Sequence, residues 1–190
     1  MSDSKPLASL ATITARAREA LSHWGLQAQT PTLLKYRENA VFQIQLANSQ
    51  PAALRLHRSG YHDEQALASE LVWMAALGKA NLAVPAPIPT KEGCHIVSLA
   101  ATVNFDAQHA DIVSWMAGRP LGQSGVALDH AGEGLVAIFR CLGETMARMH
   151  LISDSWIPPA SFRRPIWDSQ GLLGGATAVG PVLGLSGTVR

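Results

Sequence analysis

Apolar and polar residues recur along the chain with two different periods, which divide it into helices and strands. Residues 7–21 carry apolar side chains at the helical spacing, and Gly25 lies where such a helix would end. The period then changes to two, which predicts a hairpin of residues 33–36 and 41–46 and a third strand over residues 52–57. The chain is therefore predicted to begin with one helix and a small antiparallel sheet.

The middle of the chain predicts a second helix and two further strands. Residues 62–77 place their apolar side chains on one helical stripe, with Gly78 at the end. The proline-rich residues 85–89 are predicted to be irregular, because proline lacks a backbone donor. Strands near residues 94–103 and 110–115 would complete a meander of about five strands, with the helix inserted after the third.

A long helix over residues 129–151 ends the regular pattern. Its apolar stripe consists of Leu135, Ile138, Phe139, Leu142, Met146 and Met149. Residues 171–190 contain six glycines, no acidic residue and neither period, so we expect a poorly packed tail there.

Composition excludes several classes of protein. Fifteen Lys and Arg against fourteen Asp and Glu give a net charge of +1 without a basic block, which argues against a nucleic-acid partner. No segment approaches the roughly 20 apolar residues of a membrane span, and the N-terminus lacks a signal peptide, so we expect a cytoplasmic protein. Cys94 and Cys141 lack the spacing of a zinc site and are predicted to be reduced core residues.

Arg55 is the first candidate for chemistry. Leu54 and Leu56 occupy one face of their strand, so Ala53 and Arg55 share the other. A nucleotide site needs such a pairing, because a small residue leaves room for a flat base and a fixed cation attracts phosphates. The alternative is that Arg55 simply points to water from an exposed strand face.

Glu70 lies beside the apolar stripe of the second helix, where an unpaired acid would be costly to bury. Arg55 is the nearest cation in the predicted topology. A strand cation held by a helix acid is the arrangement with which protein kinases fix a lysine on nucleotide phosphates. The alternative is a solvated acid at the edge of the stripe.

A series of segments resembles the family of aminoglycoside phosphotransferases and homoserine kinases of type II. The segments are YRENAVF (36–42), LRLHR (54–58), GYH (60–62), ELVWM (70–74), SWMAGRPL (114–121), LGETMARMH (142–150) and FRRPIWD (162–168). No single segment is specific, but their order and spacing are, over about residues 33–174.

The resemblance implies an α+β fold with a protein-kinase-like N-terminal lobe. It implies an ATP-dependent phosphotransferase that uses ATP with Mg²⁺ and phosphorylates a hydroxyl of a small metabolite or an aminoglycoside-like substrate. The implied site residues are Glu38, Asn39 and Ala40 over the phosphates, Ala53 on the adenine, Arg55 as the phosphate anchor, Glu70 as its orienting acid, and the backbone of Ser114, Trp115 and Met116 on the adenine edge. Without the resemblance, Trp115 would be interpreted as an ordinary buried aromatic residue.

The implied organisation has four parts. They are a helix and nucleotide-binding lobe (1–113), a hinge (114–121), the start of a helical lobe (122–170) and the glycine-rich tail (171–190). The His-Gly-Asp catalytic loop of the family and its later metal-binding Asp are absent from this sequence. No catalytic or metal-binding residue is therefore assigned, and His109, Asp111 and His150 receive no role.

Three hypotheses remain open. In the first, the chain is a phosphotransferase truncated before the catalytic loop and inactive alone. In the second, it is a non-catalytic, pseudokinase-like module that binds a nucleotide or a partner and self-associates through uncovered apolar surface. In the third, it is a fragment that does not fold stably, which predicts a melt without cooperativity.

Overall fold

The computed structural model describes residues 9–118, 121–122 and 132–166. The helices are α1 (Leu10–Leu21), α2 (Glu64–Lys79) and α3 (Glu133–Ser155), and the strands are β1 (Thr32–Tyr36), β2 (Ala40–Gln45), β3 (Pro51–Leu56), β4 (Pro87–Ile88), β5 (Val97–Leu99) and β6 (Gln108–Ser114). The strands form one antiparallel sheet in the order β1-β2-β3-β6-β4, with β5 also paired to β6. The antiparallel strands and the helix inserted after the third strand are present as predicted. The simple meander order is wrong, because β3 pairs with β6, and β4 and β5 also pair with β6.

The first helix begins and ends at residues suited to those positions. The Ser9 side chain accepts a hydrogen bond from the Thr12 backbone N–H at 3.2 Å, which satisfies a free donor of the first turn. Gly25 follows a short 3-10 turn with φ of 71°, a conformation that glycine adopts without strain. The predicted stop is confirmed, whereas residues 7 and 8 of the predicted helix lie outside the described residues.

One face of the sheet packs on α1 and forms the hydrophobic core. Every second residue of β2 and β3, and two residues of β6, point to this face and are buried. These residues are Ala40, Phe42, Ile44, Ala52, Leu54, Leu56, Ala110 and Ile112, packed with Ile13, Ala17 and Leu21 of α1. Their burial supplies much of the hydrophobic stabilisation of this part of the chain.

The second helix, α2, lies on the other face of the sheet, where it contacts Arg55. Asp63 caps its start by accepting a hydrogen bond from the Ala66 backbone N–H at 2.7 Å. Leu67 and Leu71 are buried, as the apolar stripe predicted. The helix does not end at Gly78 but includes it.

Two strands differ from the sequence predictions. Pro87 and its neighbour form the two-residue strand β4, so the prediction of irregular structure over residues 85–89 is wrong at these positions. A proline is tolerated there because β4 is an edge strand. β5 covers only Val97–Leu99 of the predicted residues 94–103. It lies between two turns, in which Thr90 N–H donates to the Cys94 carbonyl and Thr102 N–H donates to the Phe105 carbonyl, both at 2.7 Å.

The third helix, α3, has its predicted apolar stripe only partly covered by the described residues: Leu135, Ile138 and Met149 are half-buried, and Phe139, Leu142 and Met146 are exposed. No residue of α3 is buried, and Phe139 is 52% exposed. The prediction that Cys94 and Cys141 are core residues is wrong, because both are exposed: one lies in a turn and the other on α3.

Residues 119–120, 129–131 and 171–190, for which the sequence made predictions, lie outside the described residues. None of the described helices has the length and apolar character required to cross a membrane.

Candidate functional site

The candidate site lies on the sheet face opposite the core, because the strands alternate. Leu54 and Leu56 point to α1, so Arg55 between them points toward α2. On β6, Ala110 and Ile112 are core residues and Asp111 points to the same side as Arg55. The register of β3 and β6 places Arg55 directly opposite Asp111.

Two carboxylates hold the guanidinium of Arg55. Its Nε and Nη2 donate to Oδ1 and Oδ2 of Asp111 at 2.7 and 2.9 Å, a bidentate pair. Its Nη1 donates to Oε1 of Glu70 at 2.9 Å. The structure thus brings together the strand cation and helix acid that the sequence singled out, while their role toward a nucleotide stays a prediction.

Asp111 is the site residue that sequence analysis missed. Its side chain is 0% exposed, and Oδ2 also lies 2.6 Å from Nε2 of the buried His57. An ionised carboxylate only accepts hydrogen bonds, so His57 is the donor. The signal in the sequence was an acid between two apolar residues of a strand. Which residue pairs with this acid depends on the register of β3 and β6, and the alternation of apolar residues does not predict that register.

The charges of this cluster are fixed by mutual contact. Burial by itself would lower the pKa of Arg55, but the hydrogen bonds and charges of Asp111 and Glu70 leave that pKa above its ordinary value. Burial would raise the pKa of Asp111, whereas hydrogen bonds from His57 and Arg55 hold it below its usual range. Arg55 and Asp111 are therefore both ionised at neutral pH.

A cavity of about 120 Å³ opens beside Arg55. Its lining includes Arg55, His57, Arg58 and His62, with Glu38 and Glu70 as the acids. Loss of solvent lowers the pKa of His62, and the nearby charge of Arg164 lowers it further. Sites for drug-sized ligands occupy roughly 300–1,000 Å³. By this measure the cavity is smaller than such a site.

The turn between β1 and β2 forms the rim of this cavity. Glu38 and Asn39 line it, and Asn39 Oδ1 accepts a hydrogen bond from the Arg58 backbone N–H at 3.1 Å. Ala40 begins β2 and its side chain is buried in the core. Of the three residues predicted to cover phosphates, Ala40 therefore presents only backbone to the opposite face of the sheet.

The predicted adenine-binding residues lie farther along the same strands. Ala53 is half-buried on the face away from α1. Ser114 ends β6, and its backbone N–H already donates to the Ala86 carbonyl at 2.8 Å. Trp115 is 37% exposed and Met116 is also exposed, so Trp115 is not the buried aromatic residue of the alternative interpretation.

The sequence of residues 32–179 matches the family model described as the phosphotransferase enzyme family. This chain belongs to the phosphotransferase enzyme family. The resemblance inferred from the sequence segments is confirmed at the level of the family. The matched range includes both the Arg55 cluster and α3.

Two solved structures have a similar fold. One is a microcompartment-associated aminopropanol kinase, with a TM-score of 0.68 and 28% identity over 86% of this chain and 47% of that chain. The other is an amicoumacin kinase in complex with AMP-PNP, Ca²⁺ and Ami, with a TM-score of 0.67 and 15% identity over 87% and 47%. The predicted kinase-like α+β fold is confirmed, and this chain spans 47% of the length of each of these two proteins. No curated protein sequence matches it significantly.

The two acids that hold Arg55 are not placed to bind a metal ion. Asp111 is engaged by Arg55 and His57, and Glu70 by Arg55 and Arg164. Within the described ranges, no group of three or more His, Cys, Asp or Glu is placed to hold a metal. The Mg²⁺ that family resemblance implies would have to be held by other groups, such as the phosphates of the nucleotide itself.

Proposed function

We propose that this phosphotransferase-family chain is a nucleotide-binding lobe that binds the phosphates of Mg-ATP at Arg55. The observation that carries the proposal is the fixed guanidinium of Arg55, held by Asp111 and Glu70 beside a small cavity. A cation already held in one orientation loses little side-chain entropy when an anion binds. Arg55 is therefore suited to anchoring phosphate.

The hydrogen-bonding capacity of Arg55 supports this role. A guanidinium has five N–H donors, and the bonds to Asp111 and Glu70 account for three of them. As far as the described residues show, one donor on Nη1 and one on Nη2 remain for phosphate oxygens. The phosphate groups would lie in the cavity beside them, and the base would lie outside it.

The adenine would lie along the sheet toward the end of β6. Ala53 is small enough to let a flat ring approach the sheet, and Trp115 and Met116 follow directly after β6. Because the Ser114 N–H already donates to Ala86, we expect the backbone of Trp115 and Met116 to bind the adenine edge. Backbone groups beyond the end of a strand are suited to this task.

The whole protein would transfer the γ-phosphate of ATP to a hydroxyl of a small metabolite. A related protein of 28% identity is an aminopropanol kinase, which favours a small hydroxylated acceptor over an aminoglycoside. The printed sequence contains no His-Gly-Asp catalytic loop, so we expect this chain alone to bind Mg-ATP without transferring phosphate.

A second candidate function is binding of a partner or a second copy through α3. The observation that favours it is the exposure of Phe139, Leu142 and Met146 along one stripe, without a cover among the described residues. Light scattering of the chain over a range of concentrations tests it. A monomer at all concentrations contradicts self-association.

A thermal melt with and without millimolar Mg-ATP tests the proposed nucleotide site. A ligand at 100 times its dissociation constant stabilises the folded chain by about 2.7 kcal/mol, which raises the midpoint measurably. We expect this rise in the parent and its loss in Arg55→Ala. We also expect adenosine, which lacks phosphates, to give a much smaller rise.

Two further variants make this experiment specific. Arg140→Ala removes the same charge from an exposed position of α3 and should keep the full response to Mg-ATP. Arg55→Lys keeps a cation and should retain part of the response. It takes the place of Arg55→Ala if that variant is too unstable to measure. An equal rise in the parent and in Arg55→Ala would overturn the proposal, as would the absence of any rise in the parent.

A further inference from the structure

Glu70 is shared by two arginines. Its Oε1 accepts a hydrogen bond from Arg55 Nη1 at 2.9 Å, and its Oε2 pairs with Arg164 Nη1 at 3.3 Å. Nη1 of Arg164 also donates to the carbonyl of Ala66, one turn earlier on α2, at 3.2 Å. Arg164 therefore holds the Glu70 oxygen that Arg55 does not contact.

The segment that carries Arg164 follows α3 and lies along the first turns of α2. The backbone N–H of Arg163 donates to Ser69 Oγ at 2.8 Å, and Gln65 Nε2 donates to the Ser161 carbonyl. These bonds fix the segment through its backbone. Removing the Arg164 side chain should therefore leave the segment in place.

The charge around Arg55 depends on Arg164. Glu38 and Arg58, which also line the cavity, carry opposite charges. Arg55 faces two carboxylates, Asp111 and Glu70, so these three groups carry an excess negative charge. Such an excess repels phosphate. Arg164 cancels this excess negative charge. Its charge also reaches the cavity, because Arg164 lowers the pKa of His62, although less than loss of solvent does.

We infer that Arg164 is a positioning residue of the nucleotide site, which holds Glu70 and balances its charge so that Arg55 can bind phosphate. This inference rests on the proposed binding of Mg-ATP. It makes the affinity of the sheet lobe depend on a residue that lies beyond α3. The part of the chain after the hinge would then contribute to nucleotide binding without touching the nucleotide.

Calorimetric titration of the 190-residue chain with Mg-ATP tests the inference. We expect Arg164→Ala to weaken binding about three- to fivefold, the size expected for a partly exposed ion pair. Arg164→Lys keeps the charge and should recover part of the affinity. A purely structural role would lower the melting midpoint without nucleotide and leave the affinity of the folded protein unchanged.

Arg163→Ala is the matched control. Arg163 is adjacent and exposed, and its bond to Ser69 uses the backbone, so this variant removes the same charge without touching Glu70. We expect it to change the affinity by less than about 1.5-fold. In a Glu70→Gln background, Arg164→Ala should weaken binding clearly less than it does in the parent, because only the direct charge of Arg164 on the cavity remains to be lost.

The outcomes separate this inference from the proposed function. If the parent binds Mg-ATP and Arg164→Ala weakens binding no more than Arg163→Ala does, the inference is wrong and nucleotide binding stands. If Arg164→Ala weakens binding equally in the Glu70→Gln background, Arg164 does not act through Glu70 and the inference is also wrong. If the parent does not bind Mg-ATP, both proposals fail.

Discussion

The two faces of the sheet are built from the same strands and have opposite characters. Toward α1, Phe42, Leu54 and Ile112 are fully buried in an apolar core. Toward α2, Arg55 and Asp111 form a charged cluster that is bonded to two further side chains. Adjacent residues of one strand thus belong to different environments, which assigns stability mainly to one face and ligand chemistry to the other.

The largest expected effect is on the core face. Phe42→Ala removes a fully buried aromatic side chain and should lower the free energy of unfolding by about 3–5 kcal/mol. The neighbouring Val41 points to the opposite face and is half-buried, so Val41→Ala should cost less than about 1.5 kcal/mol. Denaturation in urea measures both. Equal costs would contradict the division of the sheet into two faces.

The next largest effect comes from the charged face. Asp111→Asn leaves the charge of Arg55 without its bidentate partner, and breaking a buried pair in this way costs about 3–5 kcal/mol. We expect the lower end, because the Arg55 side chain retains 19% exposure. Glu144→Gln is the control, since Glu144 is exposed on α3 and the loss of its charge should cost less than about 0.5 kcal/mol. Urea unfolding that ranks the two variants in the other order would contradict the buried cluster.

Acid should destabilise the charged face through Asp111. The folded-state pKa of Asp111 is lowered, so on acidification the unfolded chain, with a pKa of about 3.9, takes up the proton first. The stabilisation is therefore complete above about pH 5 and is lost as the pH falls below about 4. Urea unfolding at a series of pH values should show a steeper loss in the parent than in Asp111→Asn. Parallel curves would show that Asp111 does not titrate as the contacts require.

The smallest effect is expected on α3, whose apolar stripe resembles the core face in sequence but not in packing. Phe139 is exposed, so Phe139→Ser should change the free energy of unfolding by less than about 0.5 kcal/mol. Urea unfolding of this variant beside Phe42→Ala compares two phenylalanines in different surroundings. A cost of several kcal/mol would show that α3 is covered in solution.

The sequence predicted most of the fold because alternation and helical spacing depend on nearby residues. The strands around Arg55, the stripe of α2 and the pairing of Arg55 with Glu70 all follow from such patterns. It missed the pairing of Arg55 with Asp111, which depends on strand register. It placed Cys141 in the core because a cysteine outside a metal or disulfide site is commonly buried, whereas Cys141 is exposed on α3. The short strand β4 was missed because proline usually argues against a strand. It is tolerated in β4, which lies at the edge of the sheet.

The most direct test of the account is a calorimetric titration of Mg-ATP into the parent and into Arg55→Ala, at a temperature where both are folded. The account predicts saturable binding in the parent and at least a tenfold weaker affinity in the variant, the loss of about 1.4 kcal/mol expected for a charge-assisted contact. Arg55→Lys in the same series shows whether a cation alone restores binding. Equal affinities of the parent and Arg55→Ala would contradict the assignment of phosphate binding to the charged face of the sheet.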